Sequence, residues 1–287
     1  LQMDGVIIGS AIFLLGIIGI PGNLLFCFAV YKRAEIRGKH VFEVNFHFHN
    51  FDSILFFPMV NAICQFAAYR WRRSECFHFI IPYLFFSNYQ AMMYVIIGAD
   101  MLYSIFQPFR YLRVQTFPYL FIIQIPCILF GIEHPLHAYF NMDSDDPIIF
   151  ACNPPLGTSG PAMQMWNITN IIVSITVVLL YGIIAVKMLC HSRGTEENTA
   201  KAKFTRGVVK SATVLTIFFS ASWFLSKIND RFAVLFPDIK PEVIETMQTY
   251  SVIPAVASFA QTYYVHFMMS RDYREAFKKC GFFGLFS

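Results

Sequence analysis

Few residues of this 287-residue chain combine a type and a spacing suited to chemistry. His47, His49 and Asp52 are metal-ligand types, and His49 and Asp52 fall three apart, on one face of any helix that carries them. A metal needs three or four converging donors and a single helix supplies two at best. Hydrogen bonding between helices, or contact with lipid headgroups, is the better account. No His/Asp/Glu or Ser/His set converges elsewhere, so an enzyme is not expected. Three further features stand out: an acid, Asp100, inside "GADMLYSIFQPFRY" (98–111); a lysine, Lys227, at the end of an apolar run; and a cysteine pair, Cys76 and Cys152.

The elements that must position these residues belong to a membrane. The chain is 56% hydrophobic and 17% aromatic, with 33 Phe, and only 14% of it is charged. Soluble domains carry about a quarter charged residues. Stretches long enough to cross a bilayer of about 30 Å recur at 6–31, 77–103, 117–136, 164–190 and 207–228. Two more polar stretches, 40–67 and 241–269, keep helix-length apolar faces and raise the count from five to seven. The spans are expected to be helices, because lipid offers unpaired backbone groups no partner and the alternation of a barrel is absent. The expected fold is an all-α bundle of seven transmembrane helices forming one domain over 1–287. A short amphipathic helix follows at 270–280, where Tyr273 and Phe277 share a face flanked by Arg274, Lys278 and Lys279.

Charge gives the orientation. With the N-terminus outside, 16 of the 22 basic residues fall on the inner side, and only Arg70, Arg72, Arg73, Lys227, Arg231 and Lys240 on the outer. The net charge of +4 therefore reports membrane orientation and gives nucleic-acid binding no support. No cleavable signal precedes the first span, which can serve as the signal itself.

Of the seven cysteines, Cys27, Cys64, Cys127 and Cys190 lie in or at the ends of spans, where thiols pack as small apolar residues. Cys76 and Cys152 fall on the oxidising outer side. A bridge between them would pin the loop 137–162 over the bundle; two free thiols are the alternative. Cys280 is either a palmitoylation site or a plain thiol. The sequon "NIT" (167–169) lies inside a span and is discounted.

The 24 steps from Cys76 to Asp100 span roughly 36 Å at about 1.5 Å each, so one helix carries Cys76 at the outer face and Asp100 at the inner. Pro108-Phe109-Arg110-Tyr111 follows. In this order and spacing the chain resembles the rhodopsin-like G-protein-coupled receptors, whose third helix runs from a disulfide cysteine to Asp-Arg-Tyr and a Pro-x-x-Tyr turn. "PGNLL" (21–25), "FHNFDSILFFP" (48–58), Tyr181, "FFSASWFL" (218–225), "TYYVH" (262–266) and "SRDYREAF" (270–277) resemble, in degenerate form, the family's other helix signatures. The resemblance covers essentially the whole chain. It is nearest to the nematode serpentine chemoreceptors of the srsx type, which share the weakened Asp-Arg-Tyr and the tail.

The resemblance implies roles. Asp52 would anchor a polar, activation-linked network with Asn23, Gln90, Ser258 and Thr262; a sodium site there and a protonated, hydrogen-bonded acid are the alternatives. Asp100, Met101, Pro108, Arg110, Tyr111 and Tyr181 would form the G-protein end, although Met101 stands where the family has its arginine. Arg110, or protonation, would then compensate Asp100. Trp223 and Phe219 would be the sixth-helix toggle, with Leu225 in place of the kink proline. A ligand chamber would be lined by Tyr83, Leu84, Ser87, Asn88, Met165, Trp166, Thr169, Trp223, Ser226, Lys227, Asp230, Gln248 and Val252. Tyr83 stands where amine receptors carry an acid, which disfavours a biogenic amine. Lys227 either meets an acidic ligand group or snorkels outward.

The expected function is therefore a chemosensory receptor at the plasma membrane, in sensory cilia, that binds a small organic molecule and opens an inner cleft to a heterotrimeric G protein. The alternatives are a ligand-gated channel or transporter, and a receptor that binds but couples poorly because of Met101. A retinal protein needs a lysine within 241–269, and that stretch has none.

Overall fold

A computed structural model describes residues 2–32, 57–67, 69–111, 113–114, 116–142, 145–149, 151–158, 160–192, 213–214, 216–228, 240–269, 274–275 and 277. Asp52, His47, His49, Asp230 and Cys280 lie outside the described residues. The helices are α1 (Gln2–Lys32), α2 (Phe57–Phe66), α3 (Arg73–Phe106), α4 (Pro108–Tyr111), α5 (Thr116–Phe140), α6 (Pro154–Gly157) and α7 (Gly160–Ser192). They continue as α8 (216–228), α9 (Pro241–Tyr250), α10 (Val252–Ala260) and α11 (Thr262–Met269). Among the described residues four stretches are long and apolar enough to cross a membrane: Val6–Ala29, Arg73–Phe106, Phe121–Phe140 and Gly160–Lys187.

The packing inverts that of a water-soluble protein. Phe121, Ile122, Leu129 and Leu179 are exposed, while Asn23, Asn88, Gln90 and Lys227 are buried. Water would penalise that outer surface by about 25 cal/mol for each Å² of apolar area, and lipid does not. Polar side chains turned inward find one another across helices. The helices therefore form a bundle whose largest core surrounds α3, which packs against α5 and α7. A second cluster joins α1, α2 and α10 through Ile8, Ile12, Ala62 and Val256. A third joins Phe26 and Tyr263 to Phe277 in the tail, with Tyr263 and Phe277 ring centroids 4.8 Å apart.

The stretch 241–269 is divided by turns at Ser251 and Gln261. Pro254 accounts for the first: it has no N–H to give, and its ring opposes the carbonyl four residues back, at Tyr250.

At the other end of α3 the segment 145–158 lies over the bundle. A two-residue antiparallel pair, β1 (Trp71–Arg72) with β2 (Ile148–Ile149), sets Trp71 opposite Ile149. Cys76 and Cys152 are joined by a disulfide with Cα atoms 5.3 Å apart. The short α6 is wholly buried against α3, and Asn153 caps it by accepting from the Leu156 amide at 3.0 Å. Asn153 also donates to Thr249 on α9 at 3.2 Å. Gly157 must be small, since a Cβ there would stand 2.7 Å from Ile80 Cδ1 and 3.0 Å from Cys76 Sγ.

Asp146 adds a polar tether, accepting from the Ser74 amide at 2.8 Å and the Ser74 hydroxyl at 2.9 Å. These bonds hold its carboxyl below the ordinary value of 3.8, the Ser74 amide contributing most. A lowered carboxyl stabilises the fold at neutral pH and loses that contribution as the pH falls below about 4, through its lowered folded value. Asp146→Ala is thus expected to leave the Ser74 amide open to hydrogen exchange at neutral pH. The wild type should reach the same exposure only in the acid range. Equal protection in both at pH 7 would show the tether to be idle.

Candidate functional site

The disulfide end of the bundle holds a buried polar cluster built on two indoles. Trp166, on α7, donates its Nε1–H to Asn88 Oδ1 on α3 at 2.8 Å, and Asn170 Nδ2 donates to the same oxygen at 3.3 Å. Trp223, on α8, meets Trp166 edge to face at 6.3 Å. Lys227 lies one turn further along α8, so it shares the Trp223 face. Its side chain does not snorkel outward: it is 2% exposed, with Nζ 3.0 Å from the Trp166 ring centroid and 5.2 Å from that of Trp223. A cation on an indole face is a favourable electrostatic contact, stronger where water is excluded. His134, on α5, stacks on Trp166 at 5.2 Å with the rings 15° from parallel.

The expected lining residues separate into neighbouring groups. Asn88, Trp166, Trp223 and Lys227 form the indole cluster. Tyr83 and Val252 instead line a small open cleft with Phe57, Asn61, Ile80 and Asn153. Leu84, Ser87, Ser226 and Gln248 are buried. Ser87 returns its hydroxyl to the Leu84 carbonyl at 3.1 Å, and Gln248 Nε2 reaches Met163 Sδ at 3.9 Å. Thr169 bonds to the carbonyls of half-buried Met165 and of Trp166, within its own helix. His134, Asn170 and Asn153 were not anticipated. Their signal was present: each is a polar residue interrupting or bordering an apolar stretch, where interior contacts are the rule.

From the indole cluster an aromatic column descends along α8 and α3. Trp223 meets Phe219 at 5.6 Å and Phe259 at 6.3 Å, and Phe219 meets Tyr94 at 4.1 Å. Below it α3 and α7 approach closely, with a Cβ on Gly98 reaching Tyr181 at 3.0 Å. Of the residues expected around Asp52, Asn23 donates to the Phe259 carbonyl at 3.3 Å, beside Ser258. Ser258 donates to the Ala255 carbonyl at 2.6 Å. Gln90 is buried on α3, and Thr262 opens α11.

At the far end of α3, Asp100 is held by two tyrosines. Tyr119, on α5, donates to Oδ1 at 2.5 Å, and Tyr111, on α4, donates to Oδ2 at 3.1 Å. Arg110 is not its partner: that side chain is exposed and donates to Gln107 at 3.1 Å. Pro108 starts the single turn of α4, where its missing N–H costs nothing, and so brings Tyr111 back toward α3. Met101 is half-buried against the α3 core. The tyrosines thus supply, as neutral donors from two elements, the hydrogen bonding that an adjacent cation would otherwise give the carboxylate.

This fold is that of a rhodopsin-type seven-helix receptor. The crystal structure of squid rhodopsin superposes with a TM-score of 0.71, covering 97% of this chain and 85% of that one at 17% identity. No curated protein matches the chain significantly. The sequence profile of the serpentine type 7TM GPCR chemoreceptor Srsx matches residues 16–280, and the chain belongs to that family. It is a multi-pass membrane protein of the G-protein-coupled receptor class.

Proposed function

We propose that the chain is a plasma-membrane chemosensory receptor, its N-terminus outside, for a small organic molecule. The ligand binds against the indole cluster at the disulfide end. Its binding shifts a two-state bundle so that the Asp100 end opens to a heterotrimeric G protein. The observation that carries this reading is the buried polar cluster of Asn88, Trp166 and Lys227, in ring contact through Trp223 and Phe219 with Tyr94 of α3. Asp52, with Asn23, Gln90, Ser258 and Thr262 about it, is proposed as the polar hinge of the switch and a sodium site, and Cys280 as a lipid anchor.

Met101 favours a second reading, a receptor that binds but couples poorly, because it replaces the family arginine next to Asp100 and cannot enter a G protein as a cation. The clamp of Tyr111 and Tyr119 argues for competence, since the acid is satisfied without one. Cells expressing the wild type or Met101→Arg, challenged with fractionated small-molecule extracts, separate the two. The expected result is ligand-dependent G-protein dissociation in both. Dissociation in Met101→Arg alone would establish the weak coupler. A ligand-evoked current that persists with G proteins blocked would replace the receptor with a channel.

A further inference from the structure

Two of the membrane-length stretches end together on the Asp100 side, Arg73–Phe106 at Phe106 and Gly160–Lys187 at Lys187. The two ends touch. Lys187 Nζ stands 5.3 Å from the centroid of the Phe106 ring, a cation against an aromatic side chain. A spanning helix leaves the hydrocarbon where its apolar run stops, so this contact marks the level of the lipid headgroups. The single turn of α4 is kept near that level by the bond from Tyr111 to Asp100 at 3.1 Å.

That turn has two sides. Phe109 stands two positions before Tyr111, about 200° around a helix, so it points away from Asp100. It is 80% exposed, and Phe106 is 55% exposed. Arg110, Arg113 and Lys187 are exposed as well. Arg110 donates to the Gln107 side chain at 3.1 Å, beside Phe106, and its carbonyl accepts from the Arg113 amide at 3.0 Å. Three cations therefore border one surface with two rings. None of the three has an ion pair among the described residues. Asp100, the acid of this end, gives its oxygens to Tyr119 and Tyr111 instead.

The chemistry of the partner follows from the level and the charge. At the headgroup layer an exposed ring enters the acyl boundary while guanidinium and ammonium groups reach phosphates. A zwitterionic headgroup brings its own ammonium to three positive charges, whereas a headgroup of net negative charge complements them. Anionic lipids are concentrated in the cytoplasmic leaflet. A soluble acidic partner would match the charges but would leave the rings without hydrocarbon.

We propose that this rim docks an anionic phospholipid, its phosphate held by Arg110, Arg113 and Lys187 and its acyl region met by Phe109 and Phe106. The proposal rests on the orientation given above, which puts this end in the cytoplasmic leaflet.

The test is native mass spectrometry of the full chain in detergent, with dioleoylphosphatidylserine and dioleoylphosphatidylcholine titrated in parallel. Phosphatidylserine is expected to be retained about tenfold more tightly, and added salt should erode that preference. Arg110→Gln/Arg113→Gln/Lys187→Gln should abolish it, while the charge-preserving Arg110→Lys/Arg113→Lys/Lys187→Arg should keep most of it. Phe109→Ser should weaken both lipids alike, by about tenfold. Lys278→Gln/Lys279→Gln, which removes two cations from the tail, should leave the preference intact. Equal retention of the two lipids, an unchanged preference in the triple glutamine variant, or an equal loss in the tail variant overturns the proposal. Displacement of the lipid by inorganic phosphate would make the rim a phosphate site and overturn it too. So would a triple glutamine variant that keeps the lipid preference and loses G-protein binding, since the rim would then dock a protein. Should that variant fail to fold, the comparison of lipids and salt on the wild type decides. Retention is read without ligand or G protein, so a chain that holds the lipid and never engages a G protein removes the receptor reading and leaves the site.

Discussion

Tyr119→Phe is expected to raise ligand-independent G-protein activation about tenfold and to lower the thermal midpoint of the purified receptor by about 3–8 °C. The substitution deletes one hydroxyl and leaves the ring. That hydroxyl makes the shorter of the two bonds to Asp100, at 2.5 Å. Hydrogen bonds to charged groups contribute about 1.5–3 kcal/mol, and a half-buried carboxylate stripped of a donor cannot recover all of that from water. Because the bond ties α3 to α5, its loss weighs most on the state in which these helices are closed at this end. A shift of about 1.4 kcal/mol is tenfold in that balance. Tyr111→Phe should do the same more weakly, since its bond is longer, at 3.1 Å. Asp100→Asn combined with Tyr119→Phe should add little to either alone, because both remove one contact.

The same clamp sets a pH signature. Burial, followed by the charge of Asp100, pushes the Tyr111 hydroxyl from its ordinary 10.0 up to about 12. A raised group contributes fully below its unfolded value and loses that contribution as the pH rises through its folded one. The clamp is therefore intact at physiological pH and should loosen between about pH 10 and 12. An unchanged basal signal and midpoint in Tyr119→Phe would mean that Asp100 is held by something else.

That clamp also marks where the sequence stops being readable. The bundle was legible because hydropathy is a one-dimensional signal: a run of about 20 apolar residues can do little in water except leave it. Motif order did the rest, since Cys76, Asp100 and Pro108-x-x-Tyr111 lie on one stretch whose length a helix fixes. Partnerships across helices carry no such signal. Tyr119 sits in an apolar stretch that looks like any lipid-facing tyrosine, and nothing in spacing brings it to Asp100, 19 residues earlier. Arg110 was the natural candidate by charge and proximity, yet an exposed guanidinium gains more from water and Gln107 than from turning inward. Lys227 could equally have snorkelled. Its direction is decided by Trp166 on another helix, a packing fact that only three dimensions contain. His134 was overlooked for the same reason: its stacking partner is 32 residues away.

Cys152→Ser is expected to be the most damaging single change at the disulfide end, abolishing surface display and the ligand response together. The bridge closes a separation of 76 residues, and in the chain-entropy account a loop of that size is worth about 4–5 kcal/mol of unfolded-state freedom. The consequence is local as well as global. Without the bond, the contacts that remain include a two-residue strand pair, the Asp146–Ser74 and Arg72–Asp146 contacts, the Arg73 bonds to the Pro147 and Leu156 carbonyls, the Asn153–Thr249 bond and the packing of α6. Exposed contacts of the Asp146 kind are individually weak. Cys76→Ser should match Cys152→Ser, and the double variant should be no worse, because all three lack one and the same bond. Positioning can be separated from covalent closure with Gly157→Leu, which keeps both cysteines. A side chain there collides with Ile80 and the Cys76 sulfur, so the segment must lift from α3 even while bridged. Gly157→Leu should therefore reach the surface better than Cys152→Ser yet respond to ligand weakly, because Asn153 and Pro154 form one wall of the cleft beside Tyr83. A full response in Gly157→Leu would mean that the bridge acts only on stability and that the segment's seat on α3 does not shape the cleft beside Tyr83.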